Sequence, residues 1–337
     1  MRERVVVTGS TGLVGHAIAR ALARRGDRVR ALARDVARAR AILPAEMEIV
    51  GGDILDPASL DRAFDGARLV FHAAGMPEQW QADESIFDRV NRVGTKEVLA
   101  AARRAGVERV VYTSTMDVFA AANGGTLVET NIDPHPKHTA YERSKQAAER
   151  EAATIEALGL DVVYVNPGAV YGPSPTTGTL NDFFVRLLEG KVPMLPPGGM
   201  SVAFVDGVVD VHLAAAERGR RGERYLVADG HMTTAELARE ALQAEGRGRS
   251  VPRTAPLWLM RALASASAPI ARTLGIRPLL APGELSFLTW NVRVDASKAR
   301  RDLRFVPTPA REGIKRTIDA LQQDTEKSRV TSTHARA

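Results

Sequence analysis

Short aliphatic and β-branched runs alternate along the chain with longer stretches whose apolar positions recur at helical spacing. Val5 to Val7 predicts a buried strand, and Val14 to Arg25 a helix after it. Arg28 to Ala33 predicts a second strand with a short helix, Val36 to Leu43, behind it. Glu48 to Val50 predicts a third strand, ending at Gly51-Gly52-Asp53. Asp56-Pro57 then opens a helix with proline in its first turn. Leu69 to Ala73 and Arg109 to Thr113 predict strands with a long helix, Ser85 to Ala105, between them. A helix from Tyr141 to Leu158, stopped by Gly159, leads to a strand at Asp161 to Val165. Strands separated this regularly by helices predict an α/β fold with a doubly wound parallel sheet. Its ligands lie beyond the carboxyl ends of the strands.

The turn after the first strand carries glycines at positions 9, 12 and 15. A strand that turns through glycines into a helix N-terminus makes an anion site, because the free N–H groups of the first turn and the helix dipole point the same way. Gly9 permits the tight turn, Gly12 lets backbone approach a pyrophosphate, and Gly15 lets the helix pack close on the strand. The spacing is G-x-x-G-x-x-G, a variant of the usual dinucleotide fingerprint. A Rossmann-type dinucleotide domain is therefore expected over residues 1–170.

After Asn166-Pro167 the pattern loosens, punctuated by Pro173, Pro175, Gly178, Pro193, Pro196 and Pro197. A helix at Asp206 to Arg218, a strand at Arg224 to Val227 and a helix at Thr233 to Ala244 remain regular. Pro256 to Leu288 is apolar and helical, and Ala310 to Gln322 is a closing helix. Residues 202–228 are expected to return to the sheet domain. Residues 171–324 otherwise form a smaller, mostly helical substrate region, and 325–337 are expected to be a disordered tail.

Composition narrows the function classes. At 337 residues the chain exceeds what one small core requires. It has no cysteine, which excludes disulfides and thiolate chemistry. No signal peptide is apparent, and the apolar run Leu257 to Leu274 is broken by Arg261, Pro269 and Arg272. No membrane span and a cytoplasmic location are expected. The net charge of +6 comes from dispersed arginines (Arg20, Arg24, Arg25, Arg28, Arg30, Arg34, Arg38, Arg40), and only 5% of residues are aromatic. That reads as arginine-rich surface helices and argues against nucleic-acid binding.

The chemistry-bearing residues fall at the strand ends. The fifth strand runs into Tyr112-Thr113-Ser114-Thr115, and the helix after it opens Tyr141-Glu142-Arg143-Ser144-Lys145. Tyr141 and Lys145 share a helix face. An ammonium beside a phenol lowers its pKa from about 10 toward neutrality and fits it to exchange a proton with a carbonyl or alcohol oxygen. A hydroxyl of Thr115 or Ser114 would hold that oxygen. Tyr-x-x-x-Lys alone is common on exposed helices; its weight comes from coincidence with the glycine loop and the hydroxyl run. His135 and His138 lack a third ligand, so no metal is expected. His72 reads as a strand-end histidine satisfied by its neighbours.

These motifs resemble those of the extended short-chain dehydrogenase/reductases, also called the NAD-dependent epimerase/dehydratase family. The resemblance rests on Thr8 to Gly15, Gly52-Asp53-Ile54, Phe71-His72-Ala73-Ala74, Asn91-Arg92-Val93-Gly94-Thr95, Thr113 to Val118, Tyr141 to Lys145 and Asn166 to Pro173. Phe204-Val205-Asp206 and Glu223-Arg224-Tyr225 extend it. Within the family the chain looks most like the dihydroflavonol-reductase and 3β-hydroxysteroid-dehydrogenase branch. The resemblance implies Tyr141 as general acid/base and Lys145 as its pKa partner and ribose ligand. It selects Thr115 as the active hydroxyl, with Ser114 as the fallback. Cofactor contacts are implied at Gly9, Thr11, Gly12, Leu13 and Gly15, at Asp53 and Ile54 for adenine, at Ala73 and Ala74 toward nicotinamide, and at Pro167 to Val170 for the carboxamide. Asn91 would shape its helix beside the site, and Asp206 would be a structural or capping residue. Phe119-Ala120 departs from the usual Tyr-Gly, which bears on substrate preference.

The expected activity is hydride transfer between a nicotinamide cofactor and a carbonyl or secondary alcohol. Ala33 stands where the family's ribose-binding acid falls, and Arg34 follows. A guanidinium pairs with a 2′-phosphate, so NADP is expected over NAD, with Arg38 assisting; Asp35 keeps a ribose contact open. A bulky, largely apolar small-molecule substrate is expected from Pro193 to Pro197, Met200, Leu257, Trp258, Leu259, Met260, Leu263, Leu279, Leu280, Leu285, Phe287, Leu288 and Trp290. Arg186, Lys191, Arg247 and Arg249 keep a nucleotide-sugar epimerase or dehydratase as the alternative. A non-catalytic NAD(P) sensor is the alternative of another class, and the Tyr/Lys pair argues against it. A homodimer is expected through the two long helices, at Ala100, Ala101, Ala102, Ala147, Ala148, Ala152 and Ala153.

Overall fold

Continuous apolar runs force strands into the middle of a sheet covered on both faces. The computed structural model, which describes residues 4–78, 80–176, 178–274 and 282–334, has that arrangement. Its strands are β1 (Arg4–Thr8), β2 (Arg28–Ala33), β3 (Glu48–Gly51), β4 (Leu69–His72), β5 (Arg109–Thr113), β6 (Thr126–Leu127), β7 (Val162–Pro167), β8 (Ala169–Tyr171), β9 (Gly199–Phe204), β10 (Arg224–Val227), β11 (Gly230–Thr233) and β12 (Arg293–Val294). Seven form one parallel sheet in the order β10-β7-β5-β4-β1-β2-β3. The order reverses between β1 and β4, so a crevice opens there at the carboxyl ends, where such sheets bind ligands.

Alternate residues of β1 serve the two faces. Val5 and Val7 join a core with Ile18 and Leu22 of the helix Leu13–Arg25 and Val208 and Val211 of the helix Val205–Arg218. Val6 joins the opposite core with Phe64 of the helix Pro57–Phe64, Leu99 of the helix Gly94–Arg104 and Ala152 of the helix Ala140–Ala157. The chain returns to this sheet after residue 204, adding β10 beside β7.

Four features differ from the sequence reading. The long helix is Ser85–Phe87, a π-helical turn at Asp88–Val93, and Gly94–Arg104. Inside the wide turn, buried Asn91 accepts from Met76 N at 2.7 Å and donates to Met76 O at 3.1 Å and Ser144 Oγ at 2.9 Å. These bonds tie the turn to the loop after β4, as π-turns at functional sites often do. A second sheet, β11-β9-β8, forms from glycine-punctuated segments that show no clear alternation. The closing helix runs Ala310–His334, past the predicted end at Gln322; after Gly313 no glycine or proline interrupts it. Finally, Arg30 is a buried residue of β2, not a surface one: its guanidinium donates to Ala63 O at 2.7 Å and pairs with Glu48 at 2.9 Å.

Candidate active site

The glycine turn is dictated by crowding. Gly9 has φ +72°, and a Cβ on it would lie 2.5 Å from Ala74 N and 2.6 Å from Ala73 O. A Cβ on Gly15 would lie 2.2 Å from Gly9 O. The turn closes with Gly12 N donating to Gly9 O at 2.9 Å, and Gly12 then begins the helix with no side-chain cap. First-turn N–H groups left without a capping side chain face an anion readily.

This turn is one end of a cavity of about 650 Å³ over the carboxyl ends of the sheet. Gly12, Leu13 and Gly15, Arg34, Ala73 and Ala74, Ser114 and Thr115, Tyr141 and Lys145, and Pro167 and Val170 all line it. Of the predicted contacts, Gly9 underlies the turn instead. Thr11, Asp53 and Ile54 also lie outside the lining: Asp53 Oδ1 accepts from Leu55 N at 3.0 Å, and Ile54 packs where Gly94 leaves room. Asp35 caps the helix Val36–Ile42, its Oδ1 accepting from Arg38 N at 2.9 Å.

Tyr141 and Lys145 sit in the first turns of Ala140–Ala157, whose start is fixed by a Thr139/Glu142 capping box. Lys145 Nζ is 3.1 Å from both Tyr112 OH and Thr113 O. The expectation that Lys145 lowers the Tyr141 pKa is corrected here. Burial raises that phenol well above its ordinary value, the Asp117 and Glu78 carboxylates raise it further, and the Thr115 hydroxyl opposes them. The ammonium is engaged by Tyr112, so its help is not spent on Tyr141 in this arrangement.

The two candidate hydroxyls are separated by their partners. Ser114 Oγ donates to Glu149 Oε1 at 2.6 Å, and the buried Glu149 carboxylate also accepts from Asn166 at 2.8 Å and Arg224 Nε at 2.6 Å. Ser114 thus belongs to a network behind the site. Thr115 caps a short turn at Met116–Val118, faces the Tyr141 phenol and donates to Asp117 Oδ2 at 2.7 Å. Burial and the nearby Glu142 push the Asp117 carboxyl up to about 6. His72 is buried between Thr8 Oγ1 at 2.8 Å and Thr95 Oγ1 at 3.0 Å, and burial, then Lys145, lowers its pKa to about 3. It is a neutral packing residue. Asp206 pairs with Arg316 at 2.6 Å, while Asp229 receives Phe204 N at the start of that helix. Among the described residues no cluster of three metal-binding side chains occurs.

The far wall is largely apolar, with Phe183, Val192, Pro193, Met194, Pro196, Met200, Leu237, Met260, Leu263, Phe287 and Leu288, and Asp182, Arg186 and Thr234 interrupt it. Leu195 and Leu285 are buried in separate cores, Trp258 is 71% exposed, and Trp290 Nε1 donates to Ala121 O at 3.1 Å; Leu279 and Leu280 lie outside the described residues. Of the four cations weighed for a sugar nucleotide, Arg186 lines the cavity; Lys191 pairs with Glu189, and Arg247 and Arg249 lie beside Glu245. Asp182 and Phe183, on the helix Thr179–Leu188, were missed because prolines and glycines hide that helix; its apolar periodicity was the available signal.

Comparison with known proteins places this geometry. Residues 5–228 match the model of the NAD dependent epimerase/dehydratase family. The chain is similar to sterol demethylase protein B of Methylococcus capsulatus, at 34% identity over 91% of this chain and 94% of that one. It is also similar to a 4-hydroxy-2-methyl-3-oxo-4-farnesyl-3,4-dihydroquinoline-1-oxide ketoreductase of Stigmatella aurantiaca, at 31% identity over 95% and 96%. A solved structure described as a nucleoside-diphosphate-sugar epimerase from Pseudomonas aeruginosa superposes with a TM-score of 0.76 at 26% identity, covering 96% of this chain and 99% of that one.

Proposed function

Because the chain belongs to the NAD dependent epimerase/dehydratase family, we propose that this oxidoreductase uses NADP to interconvert a carbonyl and a secondary alcohol on a bulky, largely apolar substrate. The observation that carries the reading is convergence: Tyr141, Thr115 and Lys145 meet in one cavity whose opposite wall is built largely from Met, Leu, Phe and Pro side chains. Apolar walls with a few directing polar groups suit an apolar ligand. The names of the two curated relatives, one a sterol and the other a farnesyl ketone enzyme, support the same substrate class.

The residues fit a dinucleotide at the glycine end, where the uncapped helix start faces the cavity and a Cβ would crowd the turn. When bound, the nicotinamide supplies or accepts the hydride. Tyr141 lines the cavity beside Thr115 and is placed to give its proton to the substrate oxygen in carbonyl reduction. Thr115 orients the substrate oxygen. Lys145 ties the helix to the end of β5 and, as in the family, serves as the ribose ligand. The nucleotide-sugar alternative requires cations to hold a second diphosphate, and it has Arg186 in its favour.

Arg34 carries the cofactor preference, since it lines the glycine end of the cavity. A charge-assisted bidentate contact is worth about 1.5–3 kcal/mol. Arg34→Ala is therefore expected to weaken NADPH binding by about 10- to 100-fold and leave NADH binding unchanged, measured by fluorescence titration. Equal wild-type affinities for NADPH and NADH would refute the preference. Turnover tests the substrate class. Steroid-like, aromatic and long-chain ketones are expected to oxidise NADPH, and conversion of UDP- or TDP-sugars in their place would establish the epimerase/dehydratase reading.

A homodimer is expected through the outer faces of Gly94–Arg104 and Ala140–Ala157. Ala101, Ala102, Ala148 and Ala152 are buried within the chain, which leaves Ala100, Ala147 and Ala153 for close approach. Light scattering at micromolar concentration is expected to give twice the chain mass; the mass of one chain would contradict it.

A further inference from the structure

The chemistry so far leaves one buried acid in the cavity wall without a role. Asp117 is 4% exposed, and its carboxylate has two unlike oxygens. Oδ2 accepts the Thr115 hydroxyl proton at 2.7 Å. Oδ1 is buried and makes no hydrogen bond among the described residues. The backbone closes the pair, since Asp117 N donates back to Thr115 Oγ1 at 3.2 Å.

A hydroxyl has one proton and two lone pairs. With Asp117 ionised, the Thr115 proton is committed to the carboxylate and one lone pair to Asp117 N. What Thr115 then offers is the remaining lone pair, on the side that faces the Tyr141 phenol, which can accept an O–H from the phenol or from an alcohol but gives nothing to a carbonyl. With Asp117 protonated, the carboxyl O–H donates to Thr115 Oγ1 and fills that lone pair. The Thr115 proton is released toward the cavity, where it can bind a carbonyl oxygen beside Tyr141. No heavy atom has to move for the exchange.

We propose that Asp117 is a positioning residue that sets the hydrogen-bond direction of Thr115, giving the site an acceptor form matched to an alcohol and a donor form matched to a carbonyl. The groups facing Asp117 are Tyr141, Glu142 and Lys145 on the helix Ala140–Ala157 and Lys137 from the segment before it. Burial and Glu142 favour the protonated acid, while Thr115, Lys137 and Lys145 favour the carboxylate. Lys137 is shared with Asp133 at 3.0 Å and Phe119 O at 2.6 Å, which limits its pull. The balance near 6 leaves both forms accessible around neutral pH. The consequence for the reaction rests on the hydride-transfer reading; the direction of the hydrogen bond does not.

Two measurements test it separately. Infrared difference spectra of the full chain, titrated across about two pH units either side of the balance point, are expected to show a carboxylic C=O band with a midpoint near 6. Glu129, Asp210 and Asp229 are also raised, so the Asp117 component is isolated by subtracting the Asp117→Asn titration from the wild-type one; it is expected to return in Asp117→Glu and to shift in frequency in Thr115→Val. On a ketone and its alcohol, kcat/KM for reduction is expected to fall, and for oxidation to rise, through the same midpoint, with both steps lost in Asp117→Asn. No such component in the wild-type minus Asp117→Asn difference, or a component unmoved by Thr115→Val, overturns the proposal. So do pH steps that persist in Asp117→Asn. If the infrared result holds and no ketone is reduced, the functional reading fails and the Thr115–Asp117 coupling stands.

Discussion

Tyr141→Phe is expected to lower turnover by about 10²–10⁴-fold, the span of general acid–base contributions, with cofactor affinity nearly unchanged. The substitution removes one oxygen. The ring keeps its edge contact with Phe87, at 6.1 Å between centroids, so the helix should hold its place. The size of the effect follows from the site's chemistry. Ser114 is held by Glu149, and the Thr115 hydroxyl, an alkanol, can hydrogen-bond the substrate oxygen but is too weak an acid to transfer its proton. Lys145→Ala is expected to behave differently. It loses turnover and cofactor affinity together, because the ammonium fixes the end of β5 through Tyr112 OH and Thr113 O. Stopped-flow single turnovers with a reducible ketone separate chemistry from binding. Unchanged single-turnover rates in the Phe variant would remove Tyr141 from the mechanism.

The second large effect is at Gly15. An alanine there would place its Cβ 2.2 Å from Gly9 O and 2.6 Å from Gly9 C, backbone atoms of the turn that faces the cofactor. Neither end can yield cheaply, since Gly9 is itself pressed against the backbone of Ala73 and Ala74. Overpacking of this kind costs about 1–3 kcal/mol. Gly15→Ala is expected to lower NADPH affinity on the order of 10²-fold and to reduce the unfolding temperature by several degrees. Gly230→Ala is the control, because nothing lies within 4 Å of a Cβ there. Titration calorimetry and a thermal melt on both variants check the contrast, and equal behaviour of the two would contradict it.

The parallel sheet was legible because β1, β5 and β7 are apolar runs with helices between them, a pattern that parallel burial imposes. The glycine turn was legible for a similar reason: crowding by Ala73, Ala74 and Gly9 permits few other residues. The second sheet was not, since Ala169–Tyr171 and Gly230–Thr233 are short and pair with segments distant in sequence. The capping box at Thr139 and Glu142 is a local feature, whereas the wide turn around Asn91 depends on tertiary bonds to Met76 and Ser144. The electrostatics were the least accessible. Tyr141 and Lys145 share a helix face, yet the ammonium's partner is Tyr112, a strand residue 33 positions away. Sequence spacing brought the pair together; the fold decided which phenol received the charge.

Hydride transfer to the carbonyl carbon of an apolar substrate leaves an isotopic trace. NADPH deuterated at both C4 positions, incubated with the enzyme and a steroid-like ketone, tests it most directly by mass spectrometry and NMR of the product. One deuterium on the new carbinol carbon and one equivalent of NADP formed per alcohol are expected. A ketone recovered without deuterium, together with a nucleotide sugar epimerised without net change in cofactor, would contradict that transfer.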